Sequence, residues 1–484
     1  MFGPKKLAAD RVQFAGQSAI AHANDQQWLV NQLKLPYDVK LMMRQKDPDT
    51  GKMMHLVPQV LNPQFLPARL MYAPLIALGD LHGSYQKLVE TLIFTGLATM
   101  PPQPAARFQT LSEAFKREIV SEKKYPSGRN AYECYAISQL NGKTHAESLE
   151  RLRTSGFTPE EIDDLSHRRS VYKHYYRQLS LLIQELTWCG QPGQQLVLIG
   201  DVLSDRGPLD HLTLDIIQQL NPKNADHLVC LASNHDHAGL QTLINKRFSL
   251  NWETGGSLGR SILIADRDNY VQVRLIAAED KVQVQLESPA KGESGQHFLK
   301  QFKRYLQNSK LIHYNPASKT LFTHAPVINQ DLQSLQDILN QYYQDGCRAV
   351  QQQFEKKGTK EPGKPFGLSW ANRFWKTYVQ QVFQEKKLIL PVENFLREKG
   401  NDGGFLWRRH DIHDPAVLPT AALDVETLVH GHDRQSVNSQ FSVEQQIRDG
   451  NLTPDFTVIN LDQRIRKSNS RSMWEGESRL YVEL

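Results

Sequence analysis

Six short apolar runs punctuate the chain: Leu75-Ile76-Ala77-Leu78, Leu196-Val197-Leu198-Ile199, Leu228-Val229-Cys230-Leu231, Leu321-Phe322-Thr323, Leu428-Val429 and Thr457-Val458-Ile459. Each stops at glycine or at a polar cluster. None alternates apolar with polar residues, so each reads as a strand buried on both faces, which requires a sheet covered on both sides. The fold class expected is α/β (α+β), a mixture of sheets and flanking helices.

The residues that follow these runs carry the chemistry. They are Gly79-Asp80-Leu81-His82-Gly83, then Gly200-Asp201-Val202-Leu203-Ser204-Asp205-Arg206-Gly207, Ser233-Asn234-His235-Asp236, His324-Ala325-Pro326 and His430-Gly431-His432-Asp433. An Asp after Gly at a strand end is usually a turn residue or helix cap, and a lone His is usually structural. Five such segments in order, each placed directly after an apolar run, exceed what turn chemistry accounts for. Carboxyl ends of sheet strands converge on one crevice. Oxygen and imidazole donors without thiolate suit Mn²⁺, Fe or Zn²⁺ rather than a structural zinc knuckle.

Composition narrows the classes. The 484 residues hold 57 Lys+Arg against 52 Asp+Glu, a net +5 too dilute to mark a nucleic-acid partner. The balance of 40% hydrophobic and 23% charged residues excludes global disorder. No run approaches the length of a transmembrane helix, and Met1-Phe2-Gly3-Pro4-Lys5-Lys6 leads into no apolar signal region, so a cytoplasmic protein is expected. Cys134, Cys189, Cys230 and Cys347 form neither a disulfide framework nor a CxxC pattern, and none has Arg six positions on, so cysteine-based phosphate chemistry finds no support.

Along the chain, residues 1-70 read as an N-terminal lead-in, where Pro36, Pro58, Pro63 and Pro67 favour extended and turn structure. A domain at 71-462 follows, interrupted by a helical insertion at 101-195, a β-hairpin insertion at 261-288 joined at Glu279-Asp280, and a helical insertion at 331-400. Within the first, Thr158 and Glu161 form a capping box around Pro159, and apolar residues recur at helical spacing to Gly190, predicting a helix over 158–189. In the third, Phe374, Trp375 and Phe383 read as core. Residues 463-484 read as a C-terminal tail, in which Glu475, Glu477 and Glu483 suit either solvation or an acidic translocation signal.

The order GDxHG, GD…DRG, NH[ED], H, GH resembles the calcineurin-like metallophosphoesterases, and within them the phosphoprotein phosphatases. The resemblance covers about a third of the chain and implies a calcineurin-like β-sandwich flanked by helices. It further implies two divalent metal ions, Mn²⁺ with Fe or Zn²⁺ as alternatives. Asp80 and His82 would hold the first, Asp201 would bridge, and Asn234, His324 and His432 would complete the second. Asp205 would orient His235 as catalytic acid, Arg206 would grip phosphate, and Arg409, in Phe405-Leu406-Trp407-Arg408-Arg409, would add a second phosphate contact.

Departures from the pattern bear on the phosphate pose and the substrate. Three residues separate Asp201 from Asp205 where the family has two, Ser233 replaces Gly, Asp236 replaces Glu, and Ala325-Pro326 replace glycines. His430 stands where eukaryotic relatives carry Arg. The activity implied is hydrolysis of phosphomonoesters on protein side chains, Ser/Thr or Tyr, through a hydroxide bridging two metals. The same motifs serve diadenosine-polyphosphate and small-nucleotide phosphatases, and a non-catalytic binding module is the alternative outside enzymes. Large insertions at the rim favour a phosphorylated protein as substrate, and resemble phosphatase effectors that intracellular bacteria deliver into host cells.

Overall fold

The computed structural model describes residues 39–46, 53–61, 73–119, 150, 153–154, 158–203, 210–221, 226–245, 247–249, 273–278, 281–286, 293–327, 369–386, 404–407, 425–432, 457–461 and 478–483, with parts of 331–341 and 392–396. The strands are β1 (Val39–Lys46), β2 (Met53–Leu61), β3 (Leu75–Leu78), β4 (Ala98–Thr99), β5 (Thr187–Trp188), β6 (Gln195–Leu198), β7 (Leu228–Cys230), β8 (Arg247–Ser249), β9 (Val273–Ala278), β10 (Lys281–Leu286), β11 (Ile312–Asn315), β12 (Thr320–Thr323), β13 (Thr427–His430), β14 (Thr457–Asn460) and β15 (Ser478–Glu483). A six-stranded sheet runs β2-β1-β15-β3-β6-β7 and a four-stranded sheet β11-β12-β13-β14, beside a three-stranded β8-β10-β9 sheet. All six apolar runs are strands, and β3-β6-β7 and β12-β13-β14 are the parallel cores of the two large sheets.

Side-chain alternation explains why these runs are apolar throughout. Leu75, Ala77, Val197, Ile199, Val229, Leu231 and Tyr481 of the larger sheet share one apolar layer with Phe322, Val429, Ile459 and Leu461 of the smaller. Ile76, Leu78, Leu196, Leu198, Leu228 and Cys230, from the alternate positions, face the helices. A strand between two such layers has no solvent face on which polar residues could sit.

The tail reading is corrected at Ser478–Glu483. These residues form β15, parallel to β1 and antiparallel to β3, inside the larger sheet. Glu483 is buried and accepts hydrogen bonds from Asn315 Nδ2 (2.5 Å), Ser318 Oγ (2.7 Å) and Tyr481 Oη (3.1 Å), tying the two large sheets together. Its donors lie some 165 residues away except for Tyr481, which is why local sequence suggested a solvated glutamate. In the lead-in, β2 is an edge strand. Its Pro58 falls at the register shift opposite Leu41–Met43, where a missing N–H costs no ladder bond.

The helices are α1 (Tyr85–Phe94), α2 (Pro102–Ile119), α3 (Pro159–Ile183), α4 (Asp210–Leu220), α5 (Asn234–Asn245), α6 (Glu293–Asn308) and α7 (Ser369–Glu385). In the insertion, α2 packs on α3, whose start is the reciprocal capping box: Thr158 N–H donates to Glu161 Oε2 (2.9 Å) and Glu161 N–H to Thr158 Oγ1 (3.3 Å). The helix ends at Ile183 rather than 189, because Thr187–Trp188 pairs with Ala98–Thr99 and the Cys189 and Gly190 amides donate to Leu97 O. That two-stranded neck returns the chain to the sheet. The root of α2 stands on α1, with Phe108 edge-on to the fully buried Tyr85 and the Tyr85 hydroxyl 3.4 Å from Ser112 Oγ. Phe374 and Trp375 of α7 lie in the core, and β9 and β10 pair antiparallel with Ala278 opposite Lys281.

One largely buried imidazole gives a pH signature. On β11, His313 faces Phe322 of β12 across the ladder, and burial, reinforced by the Lys310 charge, pushes its pKa down to about 4. Folded His313 is therefore neutral where an unfolded histidine, with pKa near 6.5, already binds a proton. Stability should be full above pH 6.5 and fall as pH drops from 6.5 toward 4, by roughly 3 kcal/mol at most. Urea midpoints at pH 7.5 and 5.0 should differ less in His313→Gln than in the parent; an unchanged difference would remove His313 as a source.

Candidate metal centre

The loops after β3, β6, β7, β12 and β13 bring Asp80, His82, Asp201, Asn234, His235, His324 and His432 together. Six of the seven are buried and His235 is partly so. The loops interlock through the backbone: His82 N–H donates to Asp201 O (2.5 Å), Gly83 N–H to Val202 O (2.9 Å) and Gly431 N–H to His324 O (2.8 Å). His432 N–H donates to Asp80 Oδ2 at 3.3 Å.

Close approach is bought with unusual backbone. His82, Asp201 and His432 have φ of 48°, 41° and 58°, so three of the five non-glycine residues in the left-handed region among the described residues lie here. Each such residue costs on the order of 1–2 kcal/mol, and here three of them fall in one donor cluster. Two glycines make room. A Cβ at Gly200, φ 122°, would strike the His324 ring, and one at Gly431 would strike the Asp80 carboxylate.

Asp201 is the hub. Its Oδ2 lies 3.4 Å from His235 Nε2 and 3.9 Å from His82 Nδ1, while its Oδ1 lies 3.5 Å from His324 Nε2. Two groups of donors could hold a metal ion, His82–Asp201–His235 and Asp201–His324–His432, sharing this one carboxylate. Asp80 Oδ1 lies 4.0 Å from His324 Nδ1, and His235 stands in the first group. The rings of His82 and His235 meet edge-on at 5.4 Å, and Trp407 approaches His432 edge-on at 6.3 Å.

The donor set fits a cation. Burial pushes His324 down to about 4, against the pull of the Asp201 charge, so the ring carries a single proton at neutral pH. Nδ1 lies 3.1 Å from Ile199 O, so a proton on Nδ1 would be satisfied there. In that tautomer the Nε2 lone pair faces Asn234 Oδ1 at 2.8 Å and Asp201 Oδ1 at 3.5 Å. An imidazole nitrogen, an amide oxygen and a carboxylate converging in this way suit a divalent cation.

The two substitutions at the third motif act as one unit. Ser233 N–H donates to Asp236 Oδ2 (3.0 Å) and Asp236 N–H to Ser233 Oγ (3.2 Å), a reciprocal cap that starts α5 at Asn234. Burial pushes the Asp236 carboxyl up to about 8; the Ser233 amide opposes this, and the Asp201 charge adds to it. Serine with an acid three residues on is a capping signature, so sequence could have supplied this pairing. It offered no sign of the strained dihedrals, nor of Trp407 beside His432. Asp205, Arg206 and Arg409 lie outside the described residues.

Fold and site together define a mixed α/β protein whose strand ends assemble His and Asp clusters able to bind metal. A family model described as WipA-like, phosphatase domain, matches residues 195–280, a segment that carries Asp201, Asn234 and His235. That similarity supports a phosphatase of bacterial effector type. No curated protein matches the chain. Among the described residues no helix is long and apolar enough to cross a membrane.

Proposed function

We propose that this chain is a metal-dependent phosphoprotein phosphatase of the calcineurin-like type, hydrolysing phosphomonoesters on protein side chains. The observation that carries the reading is the pair of donor groups sharing Asp201. When bound there, a divalent ion, Mn²⁺ with Fe or Zn²⁺ as alternatives, would supply activated water at neutral pH and neutralise phosphoryl oxygens. Asp201 directs one carboxylate oxygen to each group, which suits a bridging ligand. His82 and Asp80 would hold the first ion, and Asn234, His324 and His432 the second. Arg206, assisted by Arg409, binds phosphate through its guanidinium fork. His235, oriented by Asp205, protonates the leaving oxygen.

A protein substrate is supported by the helical insertion, whose α2 stands on α1 directly after the Asp80–His82 loop. Delivery into a host cell rests on the WipA-like similarity alone.

The deciding experiment is hydrolysis of p-nitrophenyl phosphate before and after chelation, then with Mn²⁺ restored. Activity should vanish and return; undiminished turnover in metal-stripped protein ends the reading. A phosphopeptide panel assayed alongside should show turnover of phosphorylated side chains.

His235 stands among the donors, so its role needs a separate test. As a general acid it matters most when the leaving group is poor. His235→Asn should lower kcat on a phosphoserine peptide by about 10²–10⁴-fold and on p-nitrophenyl phosphate by far less. Equal losses on both, with reduced metal content, would make His235 a ligand instead.

A further inference from the structure

We propose that Tyr305, on α6, is a positioning residue for Asn234 and His235, acting through the Ser233–Asp236 cap. The inference rests on the phosphatase reading and adds to it a residue that no strand-end motif contains. The Tyr305 hydroxyl donates to Asp236 Oδ2 at 3.1 Å, the same oxygen that accepts from Ser233 N–H at 3.0 Å. Asp236, Ser233 and Tyr305 are all buried, so water does not substitute for the hydroxyl. The cap holds the first turn of α5. From that turn Asn234 Oδ1 reaches His324 Nε2 at 2.8 Å and His235 Nε2 reaches Asp201 Oδ2 at 3.4 Å.

Tyr305 can position others because it is itself held. Trp375 Nε1 donates to Leu306 O (3.0 Å) and lies 2.9 Å from Ser309 Oγ, and Ser309 N–H donates to Tyr305 O (2.8 Å). Beyond the helix, Lys310 N–H donates to Cys230 O (2.9 Å) and Ala232 N–H to Lys310 O (2.8 Å), so this segment runs as a continuation of the sheet beside β7. The chain from Trp375 through Tyr305 to Asp236 therefore fixes the start of α5 from outside its own loop. An ordinary helix cap needs only the Ser–Asp pair. A third donor, brought from 69 residues away and locked to the sheet, adds orientation at the turn where small displacement of a ligand matters most.

The test is Tyr305→Phe, which removes one oxygen and keeps the ring. Mn²⁺ affinity measured by calorimetry should fall about tenfold, in the range seen when an outer partner of a metal ligand is removed. At saturating Mn²⁺, kcat on p-nitrophenyl phosphate should fall with KM nearly unchanged. Amide hydrogen exchange at 233–236 should quicken, while the unfolding midpoint of the metal-free protein stays within a few degrees. Ser233→Ala, which breaks the cap from the other side, should move affinity and exchange in the same direction and serves if Tyr305→Phe does not fold. Parent-like affinity and kcat in Tyr305→Phe, beside a metal-binding parent, overturn the positioning role alone. A parent chain that binds no Mn²⁺ overturns the phosphatase reading, and this inference with it.

Discussion

Asp201→Asn is expected to lower kcat/KM on an aryl phosphate by on the order of 10³-fold or more, and to do so more severely than His82→Asn. The difference follows from position. Asp201 faces both donor groups, one through each carboxylate oxygen, whereas His82 belongs to one. An amide in its place has only one good acceptor and no charge, so it cannot serve both groups. Metal content measured by mass spectrometry should drop toward zero in Asp201→Asn and to about one ion per chain in His82→Asn. Two ions per chain retained by Asp201→Asn would mean that the carboxylate does not bridge.

Removing residues 478–484 should abolish cooperative folding rather than trim a tail. The lost strand lies between β1 and β3 and carries buried Leu480, Tyr481 and Val482. At about 1.5–3 kcal/mol for each buried large apolar side chain, the loss approaches the whole stability of an ordinary domain, about 5–15 kcal/mol. It also leaves open backbone edges on β1 and β3. Glu483→Ala should be milder yet clear, because Asn315, Ser318 and Tyr481 would lose their shared acceptor. Thermal unfolding and gel filtration distinguish the outcomes, and a truncated protein with a parent-like melting transition would show the strand to be dispensable.

The seven clustered residues were legible as candidates because each follows an apolar run, and the order of runs in the chain is a linear signal. The capping box of α3 was legible for the same reason, as its partners lie three residues apart. The end of that helix was not, since Thr187–Trp188 left it for a strand pairing ninety residues back. Glu483 misled similarly, its environment being built by β11 and the turn that follows.

Sequence by itself determined the six apolar strands and marked the candidate donor residues, because run length, residue type and donor chemistry are local properties. Only the tertiary structure decided which oxygen of Asp201 faces which imidazole, and that His82, Asp201 and His432 are held in left-handed backbone. It alone decided that the final strand completes the sheet and that Tyr305 reaches the cap of α5. These are contacts between segments distant in the chain. They depend on how two sheets and their helices pack, and packing leaves no periodic mark in any one segment.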